Sequence, residues 1–119
     1  MKIAVTAKGK DLDAEVDPRF GRAQYLIVYD TDGDSFSAMD NTANVDATHG
    51  AGVQAGQSVA RAGATALITG NCGPRAFSVL KSAGVKVYTG AKGTVKEAVE
   101  AFKAGDLPPA DAPNVEGHW

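Results

Sequence analysis

With 119 residues, 44% of them apolar and 22% charged, the chain has enough apolar material for one domain with a real core and too little length for a typical pair. Twelve basic against fourteen acidic residues leave a formal charge of -2, which excludes a global positive field for nucleic acid or an anionic membrane and makes any anion site a local construction. The single cysteine, Cys72, excludes an internal disulfide framework and every zinc or iron-sulfur motif that draws several thiolates from one chain. No apolar run reaches the roughly 18 to 20 residues of a membrane span, and the start shows no signal-peptide core, so a cytoplasmic protein is expected.

Lys2 to Thr6 reads KIAVT, an apolar, β-branched run suited to a central strand. Residues 11 to 24 form a punctuated excursion containing DPRFGRAQ, where Pro18 and Gly21 bracket Phe20. YLIVY, residues 25 to 29, predicts a second strand; DTDGD supplies a turn at residues 30 to 34; Ser35 to Met39 predicts a third, completing a β-hairpin. After the loop-forming NTANVDATHG of residues 41 to 50, Val53, Gln57 and Ala60 fall at helical spacing until Gly63. Ala66 to Thr69 predicts a strand, NCGP a turn, and residues 75 to 82 a helix with Pro74 near its first position and Gly84 just past its end. Val85 to Tyr88 gives a fifth strand. Thr94 is placed to cap a last helix whose apolar face is Val95, Ala98, Val99 and Phe102, ended by Gly105. From Leu107 the tail LPPADAPNVEGHW is proline-rich and aperiodic, so a domain over residues 1 to 106 and an extended or mobile tail over 107 to 119 are expected. This order predicts a mixed five-stranded sheet with flanking helices, compatible with a ribonuclease H-like topology.

Ligands of α/β sheets gather beyond the carboxyl ends of parallel strands, where helix N-termini present unpaired amides. Three glycine-rich junctions fit: His49-Gly50-Ala51-Gly52, Gly70 through Arg75, and Gly90 through Thr94. If strands one, four and five run parallel, these junctions and the DPRFGRAQ loop meet at one edge and bring Arg19, Arg22, His49, Arg75 and Lys92 into one anion pocket. Each junction alone is also what the chain path of an ordinary α/β protein requires. Arg19 and Arg22 are equally placed to pair with Asp13, Glu15 or Asp17. Cys72 stands at a helix start, where a lowered thiol pKa makes a soft metal ligand, and is equally readable as a buried, inert cysteine. His49 is a candidate donor or metal ligand, or a capping residue. Met39 is most simply core.

The opening KIAVTA, the run DPRFGRAQYLIVYD, the HGAG helix entry, TGNCGPRAFSVLKSAGVKVYTG and the closing TVKEAVEAFKAG, in this order over roughly residues 1 to 106, resemble the dinitrogenase iron-molybdenum cofactor biosynthesis family, relatives of nitrogenase accessory factors. The resemblance implies a ribonuclease H-like fold that stores a molybdenum-containing metal-sulfur cluster or passes it to a recipient protein, without nucleic acid, membrane or catalysis. Within the family the short chain is similar to the orange protein type, which carries a molybdenum-copper-sulfide cluster without covalent attachment. Carried over, the family's positions are Arg19, Phe20, Gly21, Arg22, His49 and the turn Gly70 through Arg75; the expected cofactor-binding set is Arg19, Phe20, Gly21, Arg22, His49, Gly50, Asn71, Cys72, Gly73 and Arg75, with Cys72 and His49 as candidate metal ligands from their chemistry, although a cysteine at position 72 departs from the family pattern.

Two other functions compete. Ribonuclease H-like folds host metal-dependent nucleases, which need clustered carboxylates, yet KIAVT carries no acid. A regulatory module cradling phosphate or nucleotide on its glycine turns is the second, and no complete P-loop or GxGxxG motif is present.

Overall fold

Burial on both faces decides where the first strand lies. In β1 (Lys2–Ala7) every residue after Lys2 is buried, and a strand with no polar face belongs inside a sheet covered on both sides. The structure is a computed structural model that describes residues 1–41, 51–110 and 112–113. After β1 come β2 (Tyr25–Asp30), β3 (Ser35–Asp40), α1 (Ala51–Arg61), β4 (Ala66–Ile68), α2 (Pro74–Ser82), β5 (Lys86–Tyr88) and α3 (Val95–Lys103). The sheet order is β3-β2-β1-β4-β5. β1 pairs antiparallel with β2, which pairs antiparallel with β3; β1, β4 and β5 run parallel. The expected mixed five-stranded sheet is therefore present, with β1 at its centre.

Alternation along the strands sorts the core into two layers. Ile3, Val5, Ile27 and Ile68 pack with Val95, Ala98 and Val99 of α3 on one face. Ala4, Leu26 and Leu67 pack with Ala55 and Val59 of α1 and Ala76 and Leu80 of α2 on the other. Gly56 lets the two helices of that layer approach, since a Cβ there would lie 3.1 Å from Cγ1 of Val79. On the opposite face α3 starts with the expected cap: the Thr94 hydroxyl accepts from the Glu97 amide (3.2 Å) and the Glu97 carboxylate accepts from the Thr94 amide (3.0 Å), satisfying two orphan donors. Its Phe102 meets Tyr88 edge-on, with centroids 5.0 Å apart.

Element ends differ modestly from the sequence reading. α1 begins at Ala51, ahead of the first periodic residue Val53, and α2 at Pro74, whose missing N–H costs nothing in a first turn. Thr69 and Val85 fall outside the ladder pairs of β4 and β5. The tail is extended over its first residues: Leu107 packs on the α3-side core, Pro109 bridges Tyr88, and the Ala110 amide donates to the Val87 carbonyl (2.7 Å). A proline suits this outer position, where no ladder donor is needed. No helix among the described residues is long and apolar enough to cross a membrane.

A Cβ on Gly70 would lie 2.6 Å from the Pro18 Cα, backbone that cannot swing aside, whereas one on Gly84 (φ 78) would meet nothing within 4 Å. Gly84→Ala should therefore cost only the ~1 to 2 kcal/mol of left-handed strain, and Gly70→Ala about 2 kcal/mol or more through forced separation of the two loops, both read by urea unfolding. At the β2–β3 turn, Asp34 accepts from the Tyr29 hydroxyl and from Lys103 Nζ (2.9 Å), tying the end of α3 to the hairpin. The Tyr29 bond and then Lys103 hold Asp34 below its usual 3.8, and the Asp34 bond and then Tyr29 hold Lys103 above its usual 10.5. The tie thus contributes fully between those two ordinary values, fading as pH falls through the lowered Asp34 value or rises through the raised Lys103 value. Lys103→Met should lower the urea midpoint inside that window, and the difference from wild type should shrink at both extremes.

Candidate functional site

The parallel run of β1, β4 and β5 sends three connections out of the same sheet edge, and their backbones are stitched together there. The Asn71 amide donates to the Pro18 carbonyl (2.7 Å) and the Asn71 carbonyl accepts from the Phe20 amide (3.2 Å), so the loop after β1 is bridged to the turn after β4. The Gly90 amide donates to the Gly70 carbonyl (2.9 Å), and the Val16 amide to the Gly93 carbonyl (2.9 Å), which brings in the connection after β5. Gly21 closes the loop against the start of α1: its φ of 96 is left-handed, and a Cβ would lie 2.9 Å from the backbone N and Cα of Gly52. Only glycine satisfies both demands. The predicted meeting of junctions at one rim is thus present for the 18–22 loop, the 70–75 turn, the 90–94 turn and the first residues of α1.

The individual side chains divide. Arg19 is exposed and pairs through Nε with Asp17 Oδ1 (3.4 Å). Arg22 is half-buried, with its amide on the Arg19 carbonyl (3.2 Å). Asn71 is half-buried in the turn, Gly73 is the buried N-cap of α2 in extended conformation, and Arg75 stands exposed on the first turn of that helix. Lys92 is exposed on the 90–94 turn. His49 and Gly50 lie outside the described residues.

Phe20 and Cys72 correct two expectations. Phe20, expected from the resemblance as a cofactor-binding position, is fully buried in the layer of α1 and α2 with Leu26, Val59 and Leu80, so it anchors the loop from below. Cys72 is fully buried in the same layer, and burial pushes its thiol up to about 12, opposite to the lowering a helix start would bring. Desolvation wins because an apolar surround penalises the thiolate more than one helix end repays. In this conformation the thiol is buried and protonated at neutral pH, which favours the inert of its two readings.

Some groups at the rim carried no distinctive sequence signal. Thr6 and Thr69, at the carboxyl ends of β1 and β4, are both fully buried with hydroxyl oxygens 2.8 Å apart, and the Thr6 hydroxyl donates to the Asp17 carbonyl (2.7 Å). Asp17 is buried beneath the loop. Its Asp-Pro dipeptide, a turn-initiating pair, is the signal that could have separated it from Asp13 and Glu15. Among the described residues no group of three or more His, Cys, Asp or Glu is disposed to hold a metal ion. What the rim offers is hydrogen-bond donors: backbone amides at helix starts and guanidinium groups.

A family model described as dinitrogenase iron-molybdenum cofactor matches residues 1–105. The apo form of the orange protein from Desulfovibrio gigas is similar at 45% identity, covering 96% of each chain with a TM-score of 0.94. A NifB-like protein from Thermotoga shares 43% identity over 98% of each chain, with a TM-score of 0.85. An uncharacterized protein of Methanocaldococcus jannaschii is 30% identical over 110 residues, 90% of this chain and 89% of its own.

The buried thiol yields a direct test. Native protein at pH 8 should react with a disulfide reagent such as Ellman's at least ~100-fold more slowly than free cysteine, and one thiol per chain should appear on unfolding in guanidinium. Fast reaction of the folded protein would place Cys72 back among the ligand candidates.

Proposed function

We propose that this chain, which belongs to the dinitrogenase iron-molybdenum cofactor family, binds, stores or delivers an anionic molybdenum-containing metal-sulfur cluster and performs no reaction on it. The observation that carries this reading is the stitching of the Pro18–Arg22 loop to the Asn71 turn and to the start of α1, which gathers donors at one edge. The cargo is a molybdenum-copper-sulfide or iron-molybdenum-type cluster; likeness to the orange protein supports the former. In such a cluster sulfide already satisfies the metals, so a carrier must supply fit and hydrogen bonds to sulfur rather than thiolates. The donor set suits that demand. Arg19, Arg22 and Arg75 provide guanidinium donors, and the turns at Gly21, Asn71 and Gly73 provide backbone approach, with Phe20 and Cys72 as their buried footing. In sequence, His49 and Gly50 lead directly into α1, which makes them the remaining members of the set.

The sheet order supports the ribonuclease H-like reading of the fold, with the cluster-binding unit spanning residues 1–106, and the protein acts in the cytoplasm with a recipient protein for its cargo. The nuclease alternative is weaker, because β1 carries no acid and the described residues hold no metal-binding carboxylate group. A phosphate-cradling module stays the second reading, for it would use the same amides.

Reconstitution with tetrathiomolybdate and copper separates these. The expected outcome is a coloured protein that keeps molybdenum and copper through gel filtration; a colourless, metal-free product would remove the cluster reading. Each charge-assisted hydrogen bond is worth about 1.5 to 3 kcal/mol, so Arg19→Ala with Arg22→Ala should weaken retention by about two to four orders of magnitude at unchanged far-UV circular dichroism. Undiminished retention would take both arginines out of the site.

A further inference from the structure

A carboxylate is buried directly under the proposed anion rim, where a cargo of the same sign makes it unwelcome. Asp17 is only 2% exposed, and its Oδ1 accepts both from the Arg19 amide (2.9 Å) and from Arg19 Nε (3.4 Å). The backbone of Asp17 is fixed on its other side: its amide donates to the Thr6 carbonyl (2.9 Å), and its carbonyl accepts from the Thr6 hydroxyl (2.7 Å). A carbonyl can only accept, so the single Thr6 proton goes there, and the Thr69 hydroxyl supplies the proton of the 2.8 Å bond between the two threonines. These bonds fix the backbone that carries the carboxylate, and burial keeps the group beneath the loop. Arg19 is held far more loosely: its side chain is 53% exposed, its pairing runs through one long contact, and its terminal NH2 groups have no protein partner among the described residues.

We propose that Asp17 is a built-in counter-ion that sets how tightly the rim holds its cargo, an inference that rests on the cluster reading above. Without an anion, Arg19 shares its charge with Asp17. An arriving sulfido-metal anion takes the terminal NH2 groups of Arg19, while the buried carboxylate stays beneath them and repels it. Attraction and repulsion then oppose each other a few ångströms apart at a rim where Arg19 is half-exposed, so added salt weakens both. The result is a grip that releases, as a carrier requires.

The test is a titration of tetrathiomolybdate, a dianion, into wild type, Asp17→Asn and Asp13→Asn, read from the visible band. Asparagine keeps an oxygen for the Arg19 amide, removes the charge, and puts an NH2 donor in place of the second carboxylate oxygen. Asp17→Asn should tighten binding by roughly five- to fiftyfold at low ionic strength, the gain shrinking as salt is added. Asp13→Asn, the same change of net charge at an exposed acid, should shift affinity by less than about twofold. A structural lesion at position 17 would loosen binding, so unchanged or weaker binding by folded Asp17→Asn overturns the counter-ion role and leaves the cluster reading standing. No binding by wild type overturns both. Should Asp17→Asn fail to fold, wild type decides by NMR: the Arg19 Nε–H cross-peak should move during the titration with the affinity seen in the visible band, and a stationary cross-peak overturns the proposal.

Discussion

The rim of this protein exists because two loops exchange backbone hydrogen bonds beyond the ends of β1 and β4. Pro18 and Phe20 bond to Asn71 as if a parallel ladder had resumed after the strands themselves ended. That contact depends on Gly70, whose missing Cβ is all that lets the Pro18 Cα lie where it does. Once the two loops are joined, the position of everything above them is settled. Arg19 and Arg22 are carried by the loop, Gly73 and Arg75 by the chain entering α2, and Gly21 presses the same loop onto the start of α1. A local steric allowance at one glycine thus organises a surface assembled from four separate stretches of sequence.

Strands and helices were legible because their burial leaves a periodic trace. The unbroken KIAVT suited a central strand, YLIVY and ALIT read as compact apolar strands, and Thr94 marked the start of α3. Meeting of the junctions at one edge was also legible, since it follows once β1, β4 and β5 run parallel. Side-chain fate within the loops was not. Phe20 lies between two arginines in a segment without period, so nothing local says that its ring goes down into the core while Arg19 stays in water. Cys72 carried two opposite readings, and the balance between desolvation and a helix end depends on packing that only the fold supplies. Asp17 was one of three equivalent acids until the loop folded over it.

On the proposed reading, the rim would reconcile a single cysteine with membership of a family described by an iron-molybdenum cofactor. Thiolates are needed where bare metal ions must be captured. An assembled sulfide cluster presents soft, anionic sulfur to its host, and such a surface is recognised by N–H donors. The burial of Cys72 is consistent with that division of labour: its thiol fills space in the layer of α1 and α2.

The docking of the tail on β5 reaches beyond its few residues. Composition suggests cutting the chain at residue 106, yet Leu107 packs half-buried against the core beneath α3, and Pro109 and Ala110 lie along the outer side of the last strand. β5 is three residues long, and exposed strand edges invite pairing with other chains. A fragment ending at 106 would be a sheet with both flanks bare among the described residues, prone to self-association. What composition marks as an appendix is, mechanically, the hem that keeps the sheet from unravelling into its neighbours.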